Sequence, residues 1–150
     1  MKKYFYLITA MLVLSSCSLD SNSEQADNIE YEIAEITGND LPESFNFGER
    51  YTINVDYQLE SDCSIYDGLY ANYGGDSSQG RRQVYISAFA KVSTSSSCDD
   101  TAPGEEGTDS LNITISESGS YTFYFLTGEV AGEPIYDEVV VPVNEPGTGA

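Results

Sequence analysis

The chain has 150 residues, six basic against 25 acidic for a net charge of −19, and neither histidine nor tryptophan. That balance excludes nucleic acids and other anionic polymers as partners, because capturing them needs a cationic face. Without histidine, His-based triads and His-based metal sites are unavailable, and 25 scattered acids imply no particular carboxylate pair, so no enzyme is expected.

Met1-Lys2-Lys3 makes a basic start, the chain is apolar from Tyr4 to Leu14, and Ser15-Ser16-Cys17 closes that run with small residues. This is the pattern of a secretory signal peptide. The stretch falls short of the roughly 20 apolar residues of a transmembrane helix. Leu14-Ser15-Ser16-Cys17 resembles the lipobox of bacterial lipoproteins. The resemblance implies removal of residues 1–16 and acylation of Cys17 with chains such as palmitate. Each buried methylene contributes about 0.8 kcal/mol, and two or more chains anchor stably, so the mature protein is expected to sit on a membrane without spanning it. Ser18 resembles the residue that follows the cysteine in outer-membrane lipoproteins, and Asp20, Glu24 and Asp27 loosely resemble the export signal of surface-exposed lipoproteins in the Bacteroidota. Processing would remove Lys2 and Lys3 and no acid, leaving four basic against 25 acidic residues, a net charge of −21.

Lipidation of Cys17 leaves one pair of the three cysteines, Cys63 and Cys98. In an oxidising compartment that pair is expected as a disulfide. Its loop of about 36 residues is valued at nearly 4 kcal/mol by chain entropy, an upper guide. Two cysteines without histidine cannot complete the usual zinc ligand set.

Residues 17–29 are polar without an apolar period and read as a lipidated N-terminus and flexible tether; residues 145–150 read as a disordered tail. Residues 30–144 form one expected domain. Tyr51-Thr-Ile-Asn-Val-Asp-Tyr-Gln-Leu-Glu60 alternates apolar and polar throughout, as a half-buried antiparallel strand does, and 111–115 and 121–125 alternate likewise. The runs 30–36, 65–73, 83–92 and 134–143 complete seven strands, rich in β-branched and aromatic residues and bounded by Gly, Ser, Asp and Pro. The expected fold class is all-β: one immunoglobulin-like antiparallel sandwich of about seven strands with one disulfide and almost no helix.

Leu111-x-Ile113-x-Ile115-Ser-Glu117-Ser118-Gly119-Ser120-Tyr121-Thr122-Phe123 resembles the strand, corner and strand of immunoglobulin-like domains in which a tyrosine hydroxyl bonds back to the corner backbone. That role would fall to Tyr121. The inter-sheet cysteine pair and core tryptophan of antibody domains are missing. Over most of residues 30–144, the order Leu41-Pro42-Glu43-Ser44-Phe45, Gly48-Glu-Arg-Tyr-Thr-Ile53, two cysteines, Gly119-Ser-Tyr-Thr-Phe123 and a closing Val-Pro-Val is similar to that of short, flavobacterial-type Bacteroidota lipoproteins with an immunoglobulin-like β-sandwich. This resemblance implies no activity.

Alternating strand directions bring Cys63 and Cys98 to one end, here the top, as a disulfide requires. The top loops also gather Glu60, Asp62, Asp67, Asp99, Asp100, Glu105, Glu106, Asp109, Glu129 and Glu133. Hard oxygens on loops suit Ca²⁺, which makes Asp62, Asp99, Asp100, Glu105, Glu106 and Asp109 candidates for weak calcium binding; a solvated acidic surface explains them more simply. Tyr66, Tyr70, Tyr73 and Tyr85, with Arg81 and Arg82 beside them, are candidates for a sugar-stacking platform, against the plainer reading of cross-strand packing. Asp76-Ser77-Ser78, Asp100-Thr101-Ala102 and Asp109-Ser110-Leu111 resemble short O-glycosylation acceptors of the Bacteroidota, though such hydroxyls also make turns. The expected function is a non-catalytic module, lipid-anchored at the outer membrane and facing periplasm or surface. An unknown envelope protein is the first expected partner and a glycan the alternative.

Overall fold

The computed structural model describes residues 30–93 and 97–145. The expected signal peptide, Cys17, the tether and all but Glu145 of the tail lie outside the described residues. Strands form where the apolar periodicity places them: β1 Glu30–Asn39, β2 Phe45–Asn46, β3 Arg50–Gln58, β4 Ser64–Tyr73, β5 Gln83–Val92, β6 Glu106–Thr114, β7 Tyr121–Val130, β8 Glu133–Val141 and β9 Val143–Asn144. A single helical turn, α1 Ser78–Arg81, sits between β4 and β5, capped by the Ser77 hydroxyl, which accepts from the Gly80 amide.

The strand expected over 134–143 is divided at Pro142, which has no N–H to give a ladder. Its carbonyl instead accepts from the Phe45 amide, and β9 pairs in parallel with β2 across the bottom of the molecule. β6 starts earlier than the apolar alternation of 111–115 indicates. Its first residues oppose β3 from Val55 to Gln58, and Gly107 lies directly under the Tyr57 ring, where a Cβ would collide with the phenol. A glycine chosen for close approach carries no strand signal of its own.

β6, β3 and the second half of β1 make one leaf; the first half of β1 with β4, β5, β7 and β8 makes the other. Residues 30–34 of β1 pair with β5 and 35–39 pair with β3, with a bulge between Ile36 and Gly38, so one strand stitches both leaves together. Most pairs are antiparallel, but β5 and β7 run parallel. The chain crosses to the opposite leaf as β6 and returns as β7, so the reversals leave β5 and β7 pointing the same way.

The inward residues of both leaves close one core: Ile53, Val55 and Ile113 face Val84, Ile86, Phe123 and Phe125, all at most 2% exposed. Burying a side chain of this size is worth about 1.5–3 kcal/mol. Phe45 plugs the bottom, with its ring centroid 4.7 Å from that of Tyr51 and 5.8 Å from that of Phe123. Tyr121 makes the expected corner, its hydroxyl accepting from the amides of Ser116 at 3.2 Å and Glu117 at 3.1 Å. Gly119 supplies the positive φ of 87° that the turn needs. At the top, Cys63 and Cys98 are joined with an S–S distance of 2.04 Å.

Candidate functional site

Side chains on the outside of the two leaves differ sharply. On the outer surface of the β3–β6 ladder, Thr52 bonds Asn112 at 2.9 Å and Thr108 bonds Asp56 at 2.6 Å, with Asn54 and Ser110 opposed between them. On the outer surface of the other leaf, alternation along β5 turns Tyr85, Ser87, Phe89 and Lys91 away from the buried Val84, Ile86, Ala88 and Ala90. Tyr85 stacks on Tyr124 of β7 at 4.6 Å, and Tyr136 of β8 meets both edge-on. Burial, more than the neighbouring Glu138, raises the pKa of the Tyr124 phenol. No described strand or helix covers this face.

Higher on the same face, Tyr31, Phe89, Tyr70, Asn72 and Asp67 line a shallow depression of about 410 Å³. The Tyr70 ring meets Phe89 edge-on, its centroid 5.8 Å away. Its hydroxyl donates to Asp67 at 2.9 Å, which raises the phenol pKa. Asp67 also pairs with Lys91, whose ammonium lies 5.7 Å from the Tyr31 ring centroid. The hydrogen bonds from Lys91 and Tyr70 lower the Asp67 carboxyl pKa, and that carboxylate in turn raises the Lys91 pKa. The depression therefore offers aromatic surface at its floor and walls with a fixed charge pair at one side.

The structure divides the four tyrosines that are candidates for a platform. Tyr70 and Tyr85 share the outer face, but Tyr66 opposes the inward Ala90 and Tyr73 the inward Val84. Tyr66 stacks on Tyr57 of the opposite leaf at 4.0 Å and donates to Asp109 at 2.8 Å. A bulge between Tyr66 and Gly68 shifts the register of β4, so two tyrosines four positions apart point to opposite faces. Arg81 and Arg82 do not join the platform. Arg81 pairs with Glu117 at 2.6 Å and also bonds the Asp76 carbonyl, while Arg82 donates to the Ser120 carbonyl at 3.1 Å. Both hold the bottom turns together. The face instead recruits Tyr31, Phe89, Tyr124 and Tyr136, which the alternation itself implies: if Tyr121, Phe123 and Phe125 face in, Tyr124 faces out.

Six acids were expected at the top as candidate calcium ligands, and the structure disperses them. Asp109 faces inward on β6 and Glu106 outward. Asp109 accepts from Tyr66, and Asp99 accepts from the Thr101 hydroxyl at 2.6 Å, a bond that lowers its pKa. Asp62 and Asp100 lie on turns and Glu105 on the segment leading into β6. Among the described residues, no group of three or more carboxylates or cysteines is arranged to hold a metal ion.

Residues 1–18 match the family model described as the prokaryotic membrane lipoprotein lipid attachment site. The chain carries a lipoprotein attachment site. It is accordingly a lipid-anchored membrane protein, and Cys17 is the cysteine inside the match. No helix among the described residues is long and apolar enough to cross a membrane. No curated protein and no solved structure matches the chain.

Proposed function

We propose that this lipoprotein is a non-catalytic interaction module, tethered to the outer membrane through Cys17, whose outer aromatic face engages a partner in the cell envelope. The observation that carries this reading is that face itself. Tyr31, Tyr70 and Val140 are 56%, 46% and 55% exposed, on a sheet whose opposite side already buries the core. Exposed apolar surface gathered on one face marks interaction sites in soluble domains. Tyrosine suits such a surface because it offers a large rigid ring and a polar tip.

In-cell photocrosslinking tests the reading. A photoreactive residue replacing Tyr124 in the lipidated chain is expected to give a reproducible protein adduct, and one replacing Asn54 on the polar leaf is expected to give none. Identical adducts from both positions, or none from Tyr124, would end it. Incorporation of a palmitate analogue that disappears in Cys17→Ala tests the anchor.

A second reading, a glycan-binding accessory lipoprotein, draws on the depression between Tyr31 and Tyr70. Sugars stack on aromatic faces, and Asn72 and Asp67 add hydrogen-bonding groups at its margin. Retarded migration in polysaccharide gels, lost in Tyr70→Ala, is the result that would favour it over a protein partner.

A further inference from the structure

Two strand edges come together near the top of the sandwich, and neither has a strand partner there among the described residues. Residues 30–34 of β1 pair with β5 along one edge, while β3 takes up the other edge only from Glu35 onward. Residues 127–130 of β7 belong to the ladder with β8, while β5 pairs with β7 only as far as Phe125. A cleft of about 790 Å³ lies between them, lined by Tyr31, Glu32 and Ile33 on one side and Thr127, Gly128 and Glu129 on the other. Consecutive strand residues point to opposite faces. A cavity that touches three in a row on each strand therefore runs along their backbone edges. Such edges bind an extended peptide by adding it as a strand, with main-chain hydrogen bonds giving affinity.

Charge selects the guest. Glu35 and Glu60 join Glu32 and Glu129 around the cleft, and none of the described basic residues, Arg50, Arg81, Arg82 and Lys91, lines it. Glu32 opposes the inward Ala90, and its Oε1 atom is buried without a hydrogen-bond partner among the described residues. A buried carboxylate oxygen left unpaired is costly, so a donor arriving with the guest would satisfy it. The chain's own segment 17–29 is poorly suited, since it carries Asp20, Glu24 and Asp27 and no basic residue.

We propose that this cleft seats an extended, basic segment of a partner protein, added as a strand to the free edge of β1 with lysine or arginine side chains directed to Glu32 and Glu129. The free edge admits about four or five residues at roughly 3.4 Å each. This inference rests on the reading of the protein as an interaction module and names the seat and chemistry of its partner.

The test uses the mature lipid-bearing chain in non-ionic detergent. The probe is an acetylated octapeptide alternating lysine and valine, compared with its glutamate counterpart and with spermine. The lysine peptide is expected to slow amide hydrogen exchange within 30–34 and 127–130, and Glu32→Gln with Glu129→Gln to weaken its binding by about tenfold. Saturating peptide that leaves those amides unprotected in the unaltered chain would overturn the proposal. So would equal binding of the glutamate peptide, or spermine displacing the lysine peptide at matching affinity, which would indicate a polyamine site. A protein adduct recovered through Tyr124 alongside unprotected cleft amides would reject this seat and leave the interaction-module reading standing.

Discussion

The two outer faces of the sandwich rest on the same core, yet one is finished for water and the other is not. On the β3–β6 leaf, Thr52 and Asp56 bond their β6 neighbours Asn112 and Thr108, and Asn54 bonds Asp40. On the other leaf, Tyr85, Tyr124 and Tyr136 satisfy one another through ring contacts and leave apolar surface outside. Both leaves alternate along their central strands, β3 and β5, and both have inward residues at or near zero exposure, so folding does not require the aromatic choice. The difference separates what holds the domain together from what stays exposed on its surface.

The largest expected effect removes what both faces share. Phe123→Ala should cost about 3–5 kcal/mol in urea denaturation, as large-to-small core changes do. A value near zero would mean that the two leaves are not packed on one core. Replacing Cys63 and Cys98 together with serine should cost up to about 4 kcal/mol, because Cys98 closes a loop reaching back 35 positions to Cys63. Unchanged stability under reducing conditions would show that the bond contributes nothing.

A pH experiment probes the contact between leaves. Burial, followed by the bond to Asp109, raises the Tyr66 phenol above its ordinary value of 10.0. The unfolded chain then releases that proton first, so the stability linked to Tyr66 is complete below pH 10.0 and is lost as pH climbs through the raised folded value. Urea midpoints should therefore fall between about pH 10 and 12, and the fall should be shallower in Tyr66→Phe. Parallel profiles for the two proteins would remove Tyr66 from the account. The smallest effect bears directly on the contrast between faces. Thr52→Ala should stay within about 0.5 kcal/mol of the parent and leave partner capture unchanged, whereas Tyr124→Ser should abolish capture while the chain remains folded by circular dichroism. Equal loss of capture from both would erase the functional distinction between the leaves. Calcium and chelator should give the same melting temperature, since the acids at the top do not converge.

Much of the fold was legible because strand alternation is local. The run Tyr51-x-Ile53-x-Val55-x-Tyr57 names its own inward side, and the structure agrees. The Gly119-Ser120-Tyr121 corner was legible for the same reason: its hydrogen bonds span four and five positions. The aromatic face was only half legible. Tyr70 and Tyr85 do share a face, whereas Tyr66 makes the cross-strand packing of the plainer reading, and the bulge that turns it inward has no residue signature in Ser64-Ile-Tyr-Asp-Gly68. Arg81 and Arg82 were read as platform neighbours because they are close in sequence, whereas their partners Glu117 and Ser120 lie more than 35 positions away.

The amino-acid order by itself determined the lipid attachment site, the seven strands, the inward residues and which end of the domain bears the cystine. All of these depend on neighbours within a strand or turn, or on simple alternation of direction. Only the tertiary structure decided that β1 divides between leaves, that β5 lies parallel to β7, and that Tyr124 and Tyr136 gather on Tyr85. Strand adjacency is set by packing between residues far apart in the chain, and periodicity carries no record of which strand lies beside which.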